Sequence, residues 1–235
     1  MRPHTIFTFG ANYQLHSYFD RLLFNNGFGY NWQLRNNNHQ LMPLELTYVR
    51  FFNIDPDFHD RMTSTGDARL MYQYSDHFIM NTRYDYILNT QQYGTRNNFN
   101  YIHLSLETAG HLLNLIERSS GGNADENGVM KVFGVPFSQY VRMNAEFKRY
   151  FYLGTRSTLV TRMLIGVGLP YGNSKSMPYE KSFFGGGPTT MRAWHLRYLG
   201  PGNYQSSSDY VLEKIGDIQL VGNLEYRFPI VSILI

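Results

Sequence analysis

The chain has 235 residues, with 21 Lys and Arg against 18 Asp and Glu, 19 Tyr, 17 Phe, 21 Gly and no Cys. The lack of cysteine removes disulfides, thiolate metal sites and cysteine nucleophiles together. The basic residues are scattered among acidic ones without a run, which excludes a nucleic-acid footprint.

The elements follow, in chain order, from alternation of apolar and polar residues, with exceptions such as Leu23 and Asn26 in the second strand. Phe7, Phe9, Ala11, Tyr13 and Leu15 alternate with Thr8, Gly10, Asn12 and Gln14, which predicts a strand over 3–15. A second over 20–34 sets Leu22, Phe24, Phe28, Tyr30 and Trp32 against Arg21, Asn25, Gly27, Gly29 and Asn31. Further strands are predicted near 42–52, 77–90, 99–112, 137–152, 157–169 and 217–230, with a ninth beginning at about 231. Arg83 and Asp85, Arg142, Glu146 and Lys148, and Arg162, Gly166 and Gly168 fall on the polar sides. The connections alternate in length: brief turns near 35–41, 91–98 and 153–156, long segments at 53–76, 113–136 and 170–216. SSGGNADENG at 119–128 has the composition of a loop tip.

No apolar run reaches the roughly 18 residues of a membrane-spanning helix, and MRPHTIFTFG has neither the apolar centre nor the cleavage site of a signal peptide. Several predicted strands match or exceed the roughly 9–11 residues that a tilted strand needs to cross a bilayer. Hydrocarbon offers no partners to backbone N–H and C=O, so strands cross it only as a barrel. Short turns at one end and long loops at the other are the outer-membrane pattern. The alternative is a soluble barrel or sandwich with the apolar face as its core. Strand length, the aromatic apolar face, and the charges and glycines of the polar face favour an all-β, antiparallel transmembrane barrel.

Searches for chemistry find little. There is no GxSxG, HExxH or EF-hand motif, and GLPYGNSKS at 168–176 lacks the spacing of a phosphate-binding loop. The eight His show no i,i+2 or i,i+4 pair suited to a metal. Asp85, Glu107 and Glu146 share a face with Arg83, Arg142 and Lys148, so lumen salt bridges account for them without acid–base catalysis. Neither an enzyme nor a cofactor is expected.

FFGGGPTTMRAWHLRYLGPG at 183–202, preceded by GVGLPYGNSKSMPYEK and followed by GDIQLVGNLEYRFPI, resembles the conserved-loop region of BamA/TamA-like outer-membrane assembly factors. This is the bacterial surface antigen family, and the chain is most similar to its Bacteroidetes TamA-like members. In that family the sixth extracellular loop folds back into the lumen and carries a Val-Arg-Gly-Phe/Tyr tetrad. Met191, Arg192, Ala193 and Trp194 stand at those places, after the loop glycines Gly185, Gly186 and Gly187.

The resemblance implies a fragment, residues 1–235, holding about eight to nine strands of a sixteen-stranded barrel. The upstream periplasmic domains, the opening strands and the last strands would lie outside it. It implies a Gram-negative outer-membrane location and a role in inserting or exporting outer-membrane or surface proteins. Partners would be outer-membrane lipids, unfolded client proteins and periplasmic or lipoprotein accessory subunits. A passenger-specific secretion pore and a passive porin are the competing functions. Two expectations concern the loop: segment 183–197 tucks against inner-wall Arg162, Gly166 and Gly168, and Arg192 meets Glu225 through two parallel hydrogen bonds, the alternative being a solvated Arg192 with Glu225 paired to Arg227 or Arg162.

Overall fold

The computed structural model describes residues 2–64, 71–72, 74–119, 128–132, 134–200, 202 and 214–230. Strands β1 (His4–Leu15), β2 (Asp20–Leu34) and β3 (Asn37–Phe52) are followed by helix α1 (Pro56–Ser64), β4 (His77–Asn89) and β5 (Phe99–Ala109). Helix α2 (His111–Ser119) and a small hairpin of β6 (Lys131–Val132) and β7 (Val135–Pro136) precede β8 (Tyr140–Tyr152) and β9 (Thr158–Pro170). The short pieces β10 (Phe183–Phe184) and β11 (Ile215–Gly216) pair with each other, and β12 (Ile218–Arg227) ends the series.

The long strands form one eight-stranded antiparallel sheet in the order β1-β2-β3-β4-β5-β8-β9-β12. It is an open sheet, with β1 and β12 as its two edges among the described residues. The predicted ninth strand and most of the 119–128 loop tip lie outside those residues.

Register carries the alternation across the whole sheet. Phe7 opposes Phe28, Leu106 opposes Met143, and Ile165 opposes both Ala145 and Leu220, so these side chains share one face. That face is uncovered: Phe7, Phe9, Leu104, Leu106, Met163, Ile165, Leu220 and Leu224 are all exposed. An apolar surface spread over so many strands has no counterpart on an ordinary soluble monomer. It is the lipid-facing wall of a barrel.

The opposite, inner face carries Arg83 bonded to Glu45 (2.9 Å) and Asp85 (3.1 Å), and Glu146 bonded to Arg162 (2.6 Å) and Lys148 (3.0 Å). A wholly wet lumen is nevertheless not what the sequence has built. Ile79, Ala109, Tyr140 and Met177 form a fully buried cluster on this face. Met177, from the connection between β9 and β12, packs on this face against wall residues that would otherwise meet water.

The structure differs from the sequence reading at several places. The turn expected over 35–41 is only Arg35–Asn36, with Arg35 at φ 51°, and Asn37–Leu41 already pairs with β2 and β4. Trp32 stacks on His39 there at 5.3 Å, so cross-strand packing overrides the low strand propensity of an Asn-rich stretch. Both ladders of β3 shift register around Pro43, which has no N–H to give, and Thr82 hydroxyl donates to its carbonyl at 2.9 Å. Strand β5 stops at Ala109 because Gly110 turns at φ 81°, and α2 follows. Helix α1 was also unforeseen; its Phe58 and Met62, one turn apart, are buried, and Phe58 lies among the rings of Tyr18, Phe19 and Tyr74.

Candidate functional site

The connection from β9 to β12 is the site, and it is laid onto the inner wall from its first residues. Gly172 (φ 56°) turns the chain after Pro170, and Asn173 donates to the carbonyls of Met130 (2.7 Å) and Phe137 (3.0 Å). Ser174 accepts from the Gln139 amide, and Tyr72 hydroxyl bridges Ser138 and Ser174 at 2.8 and 2.7 Å. Tyr72, Met130, Phe137, Ser138 and Gln139 thereby brace the stem.

Segment 176–183 then crosses the inner face. Met177 lies over Gly168 and Phe183 over Gly166; a Cβ at either glycine would stand 2.7 Å or less from those side chains. Glu180 reaches β2 and β4, with one oxygen 2.9 Å from Arg21 Nη1 and the other 3.0 Å from His77 Nε2. These three side chains are 9%, 10% and 0% exposed. Next to it, Lys181 Nζ lies 2.6 Å from Glu107 on β5, whose Oε1 also accepts from Tyr140 hydroxyl at 2.5 Å. Arg21 and Arg197 sit over the Tyr179 ring at 4.8 and 4.2 Å, and Arg142 over Phe183 at 4.5 Å.

Burial pushes the Glu180 carboxyl up, but the opposing pull of His77 and Arg21 outweighs it, and its pKa lies below the ordinary value of 4.5. The sign follows: a depressed folded pKa contributes stability above the unfolded pKa that is lost as pH falls through the folded value. Acidification below 4.5 is therefore expected to loosen this anchor, with His77 and Arg21 left facing a neutral acid. Protease access to 176–183 in the intact protein, measured as pH is lowered, checks this; access that never rises as the carboxyl is titrated to completion would contradict it.

The tip is a tight double-back. Gly187 N–H donates to Trp194 carbonyl (2.8 Å) and Arg197 N–H to Gly185 carbonyl (2.9 Å). Gly186, at φ 85°, leaves a Cβ position only 2.0 Å from His195 oxygen, so this backbone contact requires glycine. Gly187 also has positive φ (83°) and Gly185 packs against Leu199, whereas Ala193 is not at positive φ.

The tip is tied to the wall by Gln219 on Phe184 carbonyl (2.6 Å), Asn223 on Thr190 carbonyl (3.4 Å) and Arg162 on Thr189 carbonyl. Segment 183–190 thus meets Arg162 and Gly166 as expected, while Gly168 is covered earlier, by Met177. Met191, Arg192, Ala193 and Trp194 are exposed, so the tuck expected over 183–197 does not bury them.

Arg192 Nη2 is 3.1 Å from Glu225 Oε1. The expected pair of parallel bonds is not formed by Arg192. Arg227 does not form it either: its Nε and Nη2 converge on the other Glu225 oxygen, at 3.0 and 2.6 Å, so Glu225 is shared between two arginines, one on each oxygen. Arg192 is 72% exposed, so the contact is a surface bridge. A cavity of about 790 Å³ beside it is lined by Lys148, Arg162, Arg192, Glu225 and Arg227.

Sequence reasoning did not find the buried anchor. Alternation puts Arg21 and Glu107 on the inner face, and PYEK sits in the segment that carries the resemblance. Nothing local, however, joins Glu180 to an arginine 159 residues away.

An apolar outer wall, a charged inner wall and a glycine-dependent loop seated inside define a membrane β-barrel with an inward-folded loop. The chain belongs to the Omp85 superfamily: the Omp85 superfamily domain matches residues 9–234. Members of that superfamily act in outer-membrane protein assembly and secretion, in Gram-negative outer membranes or in organelles. Comparison with the curated proteins finds no match.

Proposed function

We propose that this chain supplies part of the wall and the lumen loop of a BamA/TamA-like factor that helps insert or export outer-membrane or surface proteins. It is a portion of a sixteen-stranded barrel, with periplasmic domains upstream in the parent protein. Its partners are outer-membrane lipids, unfolded client proteins and periplasmic or lipoprotein accessory subunits. The observation that carries this reading is the loop fixed across the inner face, with Arg192 brought to Glu225. A passive pore has no need of an ion-paired loop across its lumen. A factor that exchanges edge-strand hydrogen bonds with a client has such a need, because its wall must hold its curvature while a seam opens.

Met191 to Trp194 form the working end of the loop in this reading, and Gly185 to Gly187 form its hinge. Arg192→Ala and Glu225→Ala should each impair assembly of a client barrel in the intact protein, and the double variant should be no worse than either single one. Because the bridge is exposed, each should cost at most about 1 kcal/mol of stability. Fully additive activity defects would sink the pairing. Arg192→Lys should retain part of the activity, since only one Arg192 nitrogen touches Glu225.

A further inference from the structure

Helix α2 is built unlike α1. In α1 the apolar residues Phe58 and Met62 are buried and the other face is polar, with His59 exposed. In α2 Leu113 is the one buried side chain among the described residues; Leu112, Leu115 and Ile116 are 44%, 67% and 52% exposed. At 3.6 residues per turn these three fall on one side, so α2 presents an uncovered apolar stripe.

The position of that stripe identifies what it meets. Residue Thr108 shares the outward side of β5 with Leu104 and Leu106 by alternation, and His111 Nε2 is 2.8 Å from its hydroxyl. His111 Nδ1 is 2.9 Å from Tyr171 hydroxyl, which also donates to Ala109 carbonyl at 2.9 Å. The helix therefore starts on the outer side of the wall, where exposed Leu106, Met143 and Leu169 end the lipid-facing band. Tyr171 sits there with its ring partly exposed and its hydroxyl bonded, the arrangement of an aromatic residue at a membrane–water boundary.

We infer that α2 is an interfacial helix, lying on the lipid surface at the long-loop rim with Leu112, Leu115 and Ile116 in the acyl–headgroup boundary. This rests on the reading of the outer face as lipid-facing. The stripe continues that face around the rim, and amphipathic helices bind at this depth through such a stripe. A helix held there fixes the height of the wall in the bilayer next to the loop stem.

The chain has no cysteine, so single cysteines can be introduced cleanly. Nitroxide labels at Ile116→Cys and Leu115→Cys in the intact protein, reconstituted in phosphatidylethanolamine–phosphatidylglycerol vesicles, should collide several-fold more with oxygen than with a water-soluble nickel chelate. Leu169→Cys on the outer wall should behave the same way, and His59→Cys on α1 the opposite way. Nickel access at both α2 sites with lipid-like behaviour at Leu169 overturns the inference and leaves the barrel reading intact. Shielding of both α2 sites from both reagents overturns it in favour of a protein partner. Water-like behaviour at Leu169 overturns the lipid-facing wall itself.

Discussion

Replacing Glu180 by alanine is expected to cost about 3–5 kcal/mol, the usual penalty for removing one partner of a buried ion pair. Arg21 and His77 would be left almost without solvent and without their carboxylate. The midpoint of thermal unfolding in the intact protein should fall, and segment 176–183 should become a protease target. Arg192→Ala should move the midpoint little, because its guanidinium is mostly in water. Glu180→Gln should fall between them: it keeps the shape and one accepting oxygen, but its NH2 group cannot accept the second hydrogen bond and the negative charge is gone. Coupling gives a further check, since Glu180→Ala and His77→Ala share one contact and should be less than additive when combined. A Glu180→Ala protein as stable as Arg192→Ala would show that the anchor carries no net stability.

The contrast between the two ion-pair sets divides the loop into parts. The stem is buried and fixed through Glu180 and Lys181 to three strands. The tip is bonded to the wall at Phe184, Thr189 and Thr190, and beyond those bonds Met191 to Trp194 are exposed, with Arg192 on a surface bridge to Glu225. A tip of low local stability on a rigid stem is the arrangement of a segment that moves during function. This explains why loss of Arg192 should affect assembly more than folding.

Alternation made the wall legible, because inward and outward positions follow from a period of two. Arg83, Asp85, Glu146 and Arg162 are inward, and Phe7, Phe28 and Ile165 outward, as their places in the sequence require. The helices were hidden because α1 and α2 are short and lie in segments read as loops, where each offers only about two turns of pattern. The dry inner cluster was hidden for another reason. Ile79 and Tyr140 have the parity of lumen residues, and only the loop laid over them makes their burial favourable. The triple-glycine run drew attention to the hinge, while the positions that seat the loop are single glycines in an ordinary strand.

Those strand glycines leave the space into which Phe183 and Met177 fit. A Cβ at Gly166 would lie 2.4 Å from the Phe183 ring and 3.0 Å from Asn144 Oδ1, and Phe183 is itself held under Arg142. A rigid ring beneath a cation has little room to move. Gly166→Val should therefore cost at least the roughly 1–3 kcal/mol of an overpacked core and should push the loop off the inner wall. At Gly168 the neighbour is flexible Met177, so Gly168→Ala should be milder, with the methionine changing rotamer. Gly222 on β12 has nothing within 4 Å of its Cβ position, and Gly222→Val should leave the loop in place. Crosslinking between cysteines at Thr190 and Asn223, whose side chain now bonds Thr190 carbonyl, reads the seat directly. It should persist in Gly222→Val, weaken slightly in Gly168→Ala and be lost in Gly166→Val, together with client assembly. Retention of the crosslink in Gly166→Val would mean that the loop is held without its contact on β9.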